Sequence, residues 1–180
     1  MADREAGAFG AWLDATRATI RGAGEATVPC DGCTACCESG QFVHVDPDER
    51  DALAVIPAAL LFPAPGLPPG HLLLGYDEHG RCPMLVDGRC SIYASRPRAC
   101  RTYDCRVFAA SGVTPDHQPA IAARVAEWRF TFTGPADDDA RDAVVARATR
   151  LAGEPNATAR AVAAVMTAES AAPEGRCTST

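Results

Sequence analysis

The sequence predicts a small α+β fold in which an irregular, cysteine-rich core with short strands packs with N-terminal and C-terminal helices. Three observations favour this architecture. Eight of the nine cysteines fall in two bursts, within residues 30–37 and 82–105. An amphipathic segment precedes the first burst, and Ala-rich segments of helical character follow the second. A chain of 180 residues is long enough to bury a hydrophobic core around these elements.

The N-terminal segment, residues 1–26, is predicted to contain one helix. Between Arg4 and Arg21, apolar residues recur at helical spacing, and Gly22 and Gly24 end the pattern. The residues expected on the buried face are Phe9, Trp12, Leu13, Thr16 and Ile20.

Residues 27–108 form the predicted cysteine-cluster domain. Residues 41–45 alternate in polarity as a strand does, and Asp46-Pro47 is typical of a helix start, with Pro57 at its end. Four prolines between residues 61 and 70 predict a loop without regular structure. Residues 71–76 are then predicted to form a short strand.

The second burst contains its own short elements. Asp87-Gly88 is a tight-turn dipeptide and predicts a small hairpin. The segment around Arg96-Pro97 predicts the start of a short helix that carries Cys100.

Residues 109–170 form the predicted C-terminal helical segment, with helices over 120–131, 137–151 and 156–170. Residues 171–180 are expected to be a flexible tail. Cys177 lies in that tail and is interpreted as a stray thiol outside the clusters.

Charge and hydropathy limit the possible environments and partners. All 17 basic residues are arginines. The net charge is −6, so binding to nucleic acid or to an anionic membrane is not expected. No apolar run is long enough to span a bilayer, and the N-terminus lacks the pattern of a signal peptide. A cytoplasmic location is therefore expected, where clustered thiols stay reduced and are typically metal ligands or redox groups.

The spacing of the cysteines indicates a metal-binding site. Cys30, Cys33 and Cys36 follow one another at intervals of three, which suits a cubane in which each cysteine binds a different iron. Zinc, bound by paired Cys-x-x-Cys turns, remains an alternative. Since Cys36 and Cys37 are adjacent, they are expected to point in different directions. The two bursts could therefore build two four-thiolate sites, or one site and a reactive dithiol. The expected ligands are Cys30, Cys33, Cys36, Cys37, Cys82, Cys90, Cys100 and Cys105.

The second burst is also rich in arginine. Between residues 81 and 106 there are six arginines and two aspartates, in a chain that is acidic overall. Guanidinium groups can offset the negative charge of a thiolate–metal centre. The alternative is that they are surface arginines or a patch that binds an anionic substrate. The four histidines are not expected to be ligands, because eight thiols already suffice.

The motif resembles the YkgJ-like cysteine-cluster family, a zinc- or iron-chelating domain. The resemblance rests on Cys30-x2-Cys33-x2-Cys36-Cys37, Cys82-Pro83-Met84-Leu85 and Gly88-Arg89-Cys90-Ser91-Ile92-Tyr93, followed by Arg96-Pro97, Cys100-Arg101 and Cys105. It implies that the eight cysteines are the metal ligands. From their positions in the motif, Tyr93, Arg96, Arg98 and Arg101 are expected to surround the thiolates.

Three functional hypotheses follow. The first is a protein that holds an iron–sulfur cluster, of the [4Fe–4S] type, and acts in electron transfer or as an oxidoreductase with an unknown redox or protein partner. The second is a structural zinc-binding module that mediates interactions. The third is a modifying enzyme whose substrate binds at the arginines.

Overall fold

Helices and short strands together build the chain, and this confirms the α+β class. A computed structural model describes residues 3–26, 28, 32–115 and 117–166. Within these ranges the strands are β1 Arg4–Ala8, β2 Val43–Val45, β3 Leu61–Pro63, β4 Leu72–Leu74, β5 Leu85–Val86, β6 Arg89–Cys90 and β7 Trp128–Thr131. The α-helices are α1 Phe9–Ile20, α2 Arg50–Val55, α3 Arg98–Thr102, α4 Arg106–Ser111, α5 Pro119–Val125, α6 Pro135–Arg150 and α7 Ala157–Met166.

The larger of two hydrophobic cores joins the two ends of the described chain. β1 and β7 pair in parallel, and α1 packs beside them with α4, α6 and α7. Four of the five residues expected on the buried face of α1 are buried, whereas Ile20 is 38% exposed. The largest side chains of this core are Phe9, Trp12, Phe108, Ile121 and Trp128.

Two segments predicted as helix are strands instead. Residues 4–8 form β1 and residues 128–131 form β7, because each strand satisfies the backbone hydrogen bonds of the other across the length of the chain. The helices predicted over 137–151 and 156–170 are confirmed as α6 and α7 as far as Met166. The residues beyond that point, including the predicted tail and Cys177, lie outside the described residues.

A smaller core lies beneath an antiparallel sheet of order β2-β4-β3. Its buried residues are Val45, Ala52, Ile56, Leu74 and Met84. β3 occupies the segment predicted as a loop, and Pro63 is tolerated there because β3 is an edge strand. α2 begins at Arg50, later than predicted from Asp46-Pro47.

The short elements of the second burst form as predicted. Asp87 and Gly88 both have positive φ, 48° and 71°, as a type I′ turn between β5 and β6 requires. α3 follows Pro97 and carries Cys100. In the described part of the chain, every helix is too short or too polar to cross a bilayer.

Candidate metal centre

The two cysteine bursts meet in the folded chain. The backbone N–H of Cys82 donates to the carbonyl of Cys37 at 2.7 Å, and the N–H of Gly40 donates to the carbonyl of Gly80 at 2.8 Å. Gly40 and Gly80 have φ values of 59° and 74°, a backbone conformation that favours glycine, at the point where the two segments meet. The described parts of the bursts therefore converge, as a shared metal site requires.

The first burst directs neighbouring cysteines to different sides. Residues Ala35–Glu38 form one turn of 3₁₀-helix, closed by a hydrogen bond of 2.8 Å from the Thr34 hydroxyl to the Glu38 carboxylate. Successive side chains in such a turn point about 120° apart. Cys36 and Cys37 consequently lie in separate environments. Cys30, the first expected ligand, lies outside the described residues.

The second burst brings three cysteines from three local structures. Cys82 lies in the turn before β5, where its carbonyl accepts from the Leu85 N–H at 2.9 Å. Cys90 lies in β6, opposite Leu85 in the hairpin. Cys100 lies in α3, and its N–H donates to the Pro97 carbonyl at 2.9 Å. Turn, hairpin and helix thus each contribute one thiol beside Cys37.

We call Cys37, Cys82, Cys90 and Cys100 the four-thiol cluster. Burial, and then the neighbouring thiols of Cys82, Cys90 and Cys33, raise the pKa of Cys37 to about 11. Desolvation and the other three thiols of the cluster raise the pKa of Cys100 to about 12, although the residue keeps an accessible surface. Burial also raises the pKa of Cys82. In the absence of metal these three groups are neutral near pH 7, so a cation that binds them must displace protons.

Cys36 and Cys105 both lie near the hydroxyl of Tyr103. Cys105 is buried, and the Trp128 indole N–H donates to its Sγ at 3.2 Å. Burial, and then the thiol of Cys36, raises the pKa of Tyr103. The Tyr103 hydroxyl lies beside Gln41, but neither it nor the Gln41 amide nitrogen makes a hydrogen bond of normal geometry within the described residues. These two donors are therefore available to sulfur atoms or to a group bound there.

A buried ion pair holds the backbone around Cys105. The guanidinium of Arg106 donates to both carboxylate oxygens of Asp104 at 2.8 to 3.0 Å, and the Trp12 indole donates to the same carboxylate at 2.8 Å. Arg106 also donates to the Ala6 carbonyl at 3.0 Å. Because Asp104 and Arg106 flank Cys105 in sequence, this network fixes the thiol against α1 and β1.

Arg96, one of the three arginines expected to surround the thiolates, acts electrostatically on Cys100 of the four-thiol cluster. Its guanidinium carbon lies 4.1 Å from the centre of the Tyr93 ring, and it donates to the Tyr93 carbonyl at 2.8 Å. Its positive charge opposes the rise in the pKa of Cys100. Arg96 therefore stabilises a thiolate at that position.

Arg98 and Arg101 contact carboxylates. Arg98 pairs with Asp46 at 3.3 Å and with Asp48 at 3.2 Å. Arg101 lies 3.6 Å from the buried carboxylate of Glu49. These ion pairs tie α3 to the segment that precedes α2, so the two arginines position the helix that carries Cys100.

The spacing of the sulfur atoms bears on the kind of metal group they suit. A tetrahedral zinc site with bonds of about 2.3 Å holds its sulfurs roughly 3.8 Å apart. Among the described residues, one group of three potential ligands has donor atoms that all lie within 4.8 Å of one another. This group contains no cysteine. The described thiols thus lie in one region, and no three of them have sulfur atoms that are all within 4.8 Å of one another. A zinc ion would draw the thiols closer together, whereas a polynuclear cluster, in which each cysteine binds a different metal atom, would hold them farther apart.

These features define a small α+β protein with a metal-binding site built from clustered cysteines. A family model, CxxCxxCC, described as "Putative zinc- or iron-chelating domain", matches residues 29–120. The match spans both cysteine bursts and more than half of the chain, so the protein belongs to this family of metal-chelating domains. No curated protein and no solved structure gave a match.

Sequence reasoning did not point to Gln41, Tyr103 or Trp128. Gln41 closely follows the first burst and Tyr103 lies between Cys100 and Cys105, so closeness along the chain was an available signal. Trp128 is 23 residues from Cys105, and its contact with sulfur depends on the pairing of β7 with β1. Nothing in the sequence indicates that contact.

Proposed function

We propose that this protein binds iron–sulfur clusters through its cysteines and transfers electrons to or from a protein partner. The observation that carries the proposal is the convergence of thiols from both bursts, with the adjacent residues Cys36 and Cys37 in separate environments. Cubane ligation, in which each cysteine binds its own iron, suits thiols brought together from several local structures.

Two centres are the arrangement that we favour. The four-thiol cluster supplies one complete set of ligands. Cys36 and Cys105, which both act on the hydroxyl of Tyr103, would belong to a second set of ligands. This division explains the adjacent pair Cys36-Cys37, because one member serves each centre.

The surroundings of Cys105 suit a redox centre. Hydrogen bonds to ligand sulfur are one of the factors that set the reduction potential of an iron–sulfur cluster. The Trp128 indole already donates to the Cys105 sulfur at 3.2 Å. The hydroxyl of Tyr103 and the amide of Gln41 are buried, lie beside each other and make no hydrogen bond of normal geometry within the described residues. A sulfur-rich group on this side would give both of them an acceptor.

The accessibility of two ligands supports exchange of electrons with a partner. Cys36 and Cys100, one from each proposed set, are exposed. Each centre would therefore have a ligand at the surface, where a docked protein could approach it.

A structural zinc module is the second candidate. The strands around the four-thiol cluster are only two residues long in β5 and β6, and three in β2 and β4. Elements this short gain little stability from their own hydrogen bonds, so bound metal could replace the missing core packing. Zinc would serve this role without redox chemistry.

Anaerobic purification distinguishes the two candidates. We expect a brown protein that contains iron and acid-labile sulfide, with the broad visible absorption of thiolate-bound iron. Cys100→Ala and Cys36→Ala should each lower the iron content, whereas Cys177→Ala, in the tail, should not. A colourless protein with stoichiometric zinc would overturn the iron–sulfur proposal in favour of the zinc module. Full iron and sulfide in both ligand variants would refute the assignment of those cysteines.

A further inference from the structure

A group of side chains outside the cysteine region has the geometry of a second metal site. We propose that His44, Asp46 and His71 bind a divalent transition metal, such as Zn²⁺, through two imidazole nitrogens and one carboxylate oxygen. This site is independent of the proposed iron–sulfur function, and it departs from the expectation that the histidines are not ligands.

The scaffold of the site is the antiparallel pair of β2 and β4. Val45 lies opposite Leu72 and His44 lies opposite Leu73, which brings Asp46 across from His71 at the end of the pair. His44 and Asp46 are two residues apart, so both project from the same face of the strand. The sheet therefore fixes the three side chains before any ion arrives.

The donor atoms stand close to the separations that a metal requires. His71 Nδ1 lies 3.1 Å from His44 Nε2 and 3.1 Å from Asp46 Oδ1, and all three donor atoms lie within 4.8 Å of one another. A tetrahedral zinc ion with bonds of about 2.0 to 2.1 Å holds its ligand atoms roughly 3.4 Å apart. The two imidazole rings are nearly parallel, at 11° and 5.2 Å between centres. Small outward shifts would admit an ion.

Neighbouring groups orient the carboxylate of Asp46. Arg98 binds its Oδ2 at 3.3 Å, which leaves Oδ1 directed at the histidines. The backbone N–H of Asp46 donates to the Glu49 carboxylate at 2.9 Å. The Glu49 contact holds the backbone of Asp46, and a hydrogen bond to a ligating carboxylate, such as that from Arg98, fixes its orientation. The Arg98 guanidinium is half-exposed and also pairs with Asp48, so solvent and a second carboxylate weaken its repulsion of a cation.

The chemistry of the donor set suggests which metals bind. Two imidazoles and a carboxylate suit zinc and other divalent first-row ions, and the group includes no thiolate for iron–sulfur ligation. Three protein ligands leave a fourth position for water or a small ligand. All three residues are partly accessible, so an ion can enter from solvent. His71 Nδ1 faces both other donors, and a metal would replace the single proton that this atom can carry.

The test uses the protein as isolated, with its cysteine-bound metal in place, in a Cys177→Ala background so that the tail thiol cannot contribute. Added Zn²⁺ should bind as one further equivalent, measured by equilibrium dialysis and metal analysis. His44→Gln and His71→Gln should each weaken that binding by about a hundredfold or more. The matched control is His79→Gln, since His79 is a highly exposed histidine outside the site, and it should bind Zn²⁺ as the parent does. Unchanged circular dichroism and cysteine-bound metal would show that the variants remain folded.

A second measurement needs no variant. The chain has four histidines, so their imidazole ¹⁵N resonances can be followed individually. Zn²⁺ should shift Nε2 of His44 and Nδ1 of His71 and leave His79 and His117 unchanged. The assignment is overturned if the parent takes up no additional Zn²⁺, if both glutamine variants bind it as tightly as the parent, or if the shifts fall on His79 or His117.

Discussion

Raising the pH should destabilise the metal-free, reduced protein, because Cys37 holds its proton more tightly when folded. The pKa of Cys37 is raised from 9.0, the value of an ordinary thiol, to about 11 in the folded chain. Below pH 9 both the folded and the unfolded states carry the proton, so the pH has no effect through this group. Between pH 9 and 11 the unfolded chain releases the proton and the folded chain retains it, which favours unfolding.

The size of the effect follows from the difference in pKa. Two pKa units correspond to at most about 2.7 kcal/mol, at about 1.36 kcal/mol for each unit, and solvent screening of the partly exposed Cys37 lowers this to about 1 to 2 kcal/mol. This is a measurable part of the 5 to 15 kcal/mol, roughly, by which small domains are stable. Cys82 and Cys100, whose pKa values are also raised, should add to the loss in the same direction.

The assay is urea unfolding of the chelator-treated protein under anaerobic, reducing conditions, from pH 8 to pH 11. Cys37→Ser removes a group that titrates in this range, so the free energy of unfolding of the variant should fall with pH by about 1 to 2 kcal/mol less than that of the parent. Cys177→Ser is the matched control and should follow the parent. The reasoning is refuted if the parent and Cys37→Ser lose the same stability, or if the parent becomes more stable as the pH rises through 9.

Three further predictions concern the same region. At pH 7, binding of Zn²⁺ to the metal-free protein should release at least three protons, because the pKa values of three thiols in the four-thiol cluster are raised. Calorimetry in buffers of different ionisation enthalpy measures the number of protons released. Release of one proton or none would contradict the prediction. Asp104→Ala should cost about 3 to 5 kcal/mol in urea unfolding, because Arg106 is left buried without its partner, and a loss under 1 kcal/mol, roughly, would show that water or another group replaces the carboxylate. Trp128→Phe keeps an aromatic ring but removes the hydrogen bond to the Cys105 sulfur. The variant should therefore have a shifted reduction potential of the bound centre and the same iron content as the parent. An unchanged potential would mean that the Cys105 sulfur is not a ligand.

Much of the local structure could be predicted because it depends on neighbouring residues. The Asp87-Gly88 turn, the helix after Pro97 and the buried face of α1 are set by backbone preferences and apolar periodicity within a few residues. The errors at residues 4–8 and 128–131 have the opposite cause. Each segment is a strand only because the other lies beside it, and a pairing over such a distance leaves no local pattern.

The same division applies to the candidate site. The family and its metal-binding character depend on residue types at short spacing, and the sequence alone determined them. Thiols separated by two intervening residues can reach one metal group without help from the rest of the chain. Only the tertiary structure decided that Cys37 joins Cys82, Cys90 and Cys100, while Cys36 and Cys105 both lie near Tyr103. It likewise paired Arg98 with Asp46 and brought His71 to His44. These contacts join residues far apart in sequence, and the packing of whole elements, rather than any local preference, determines which of them form.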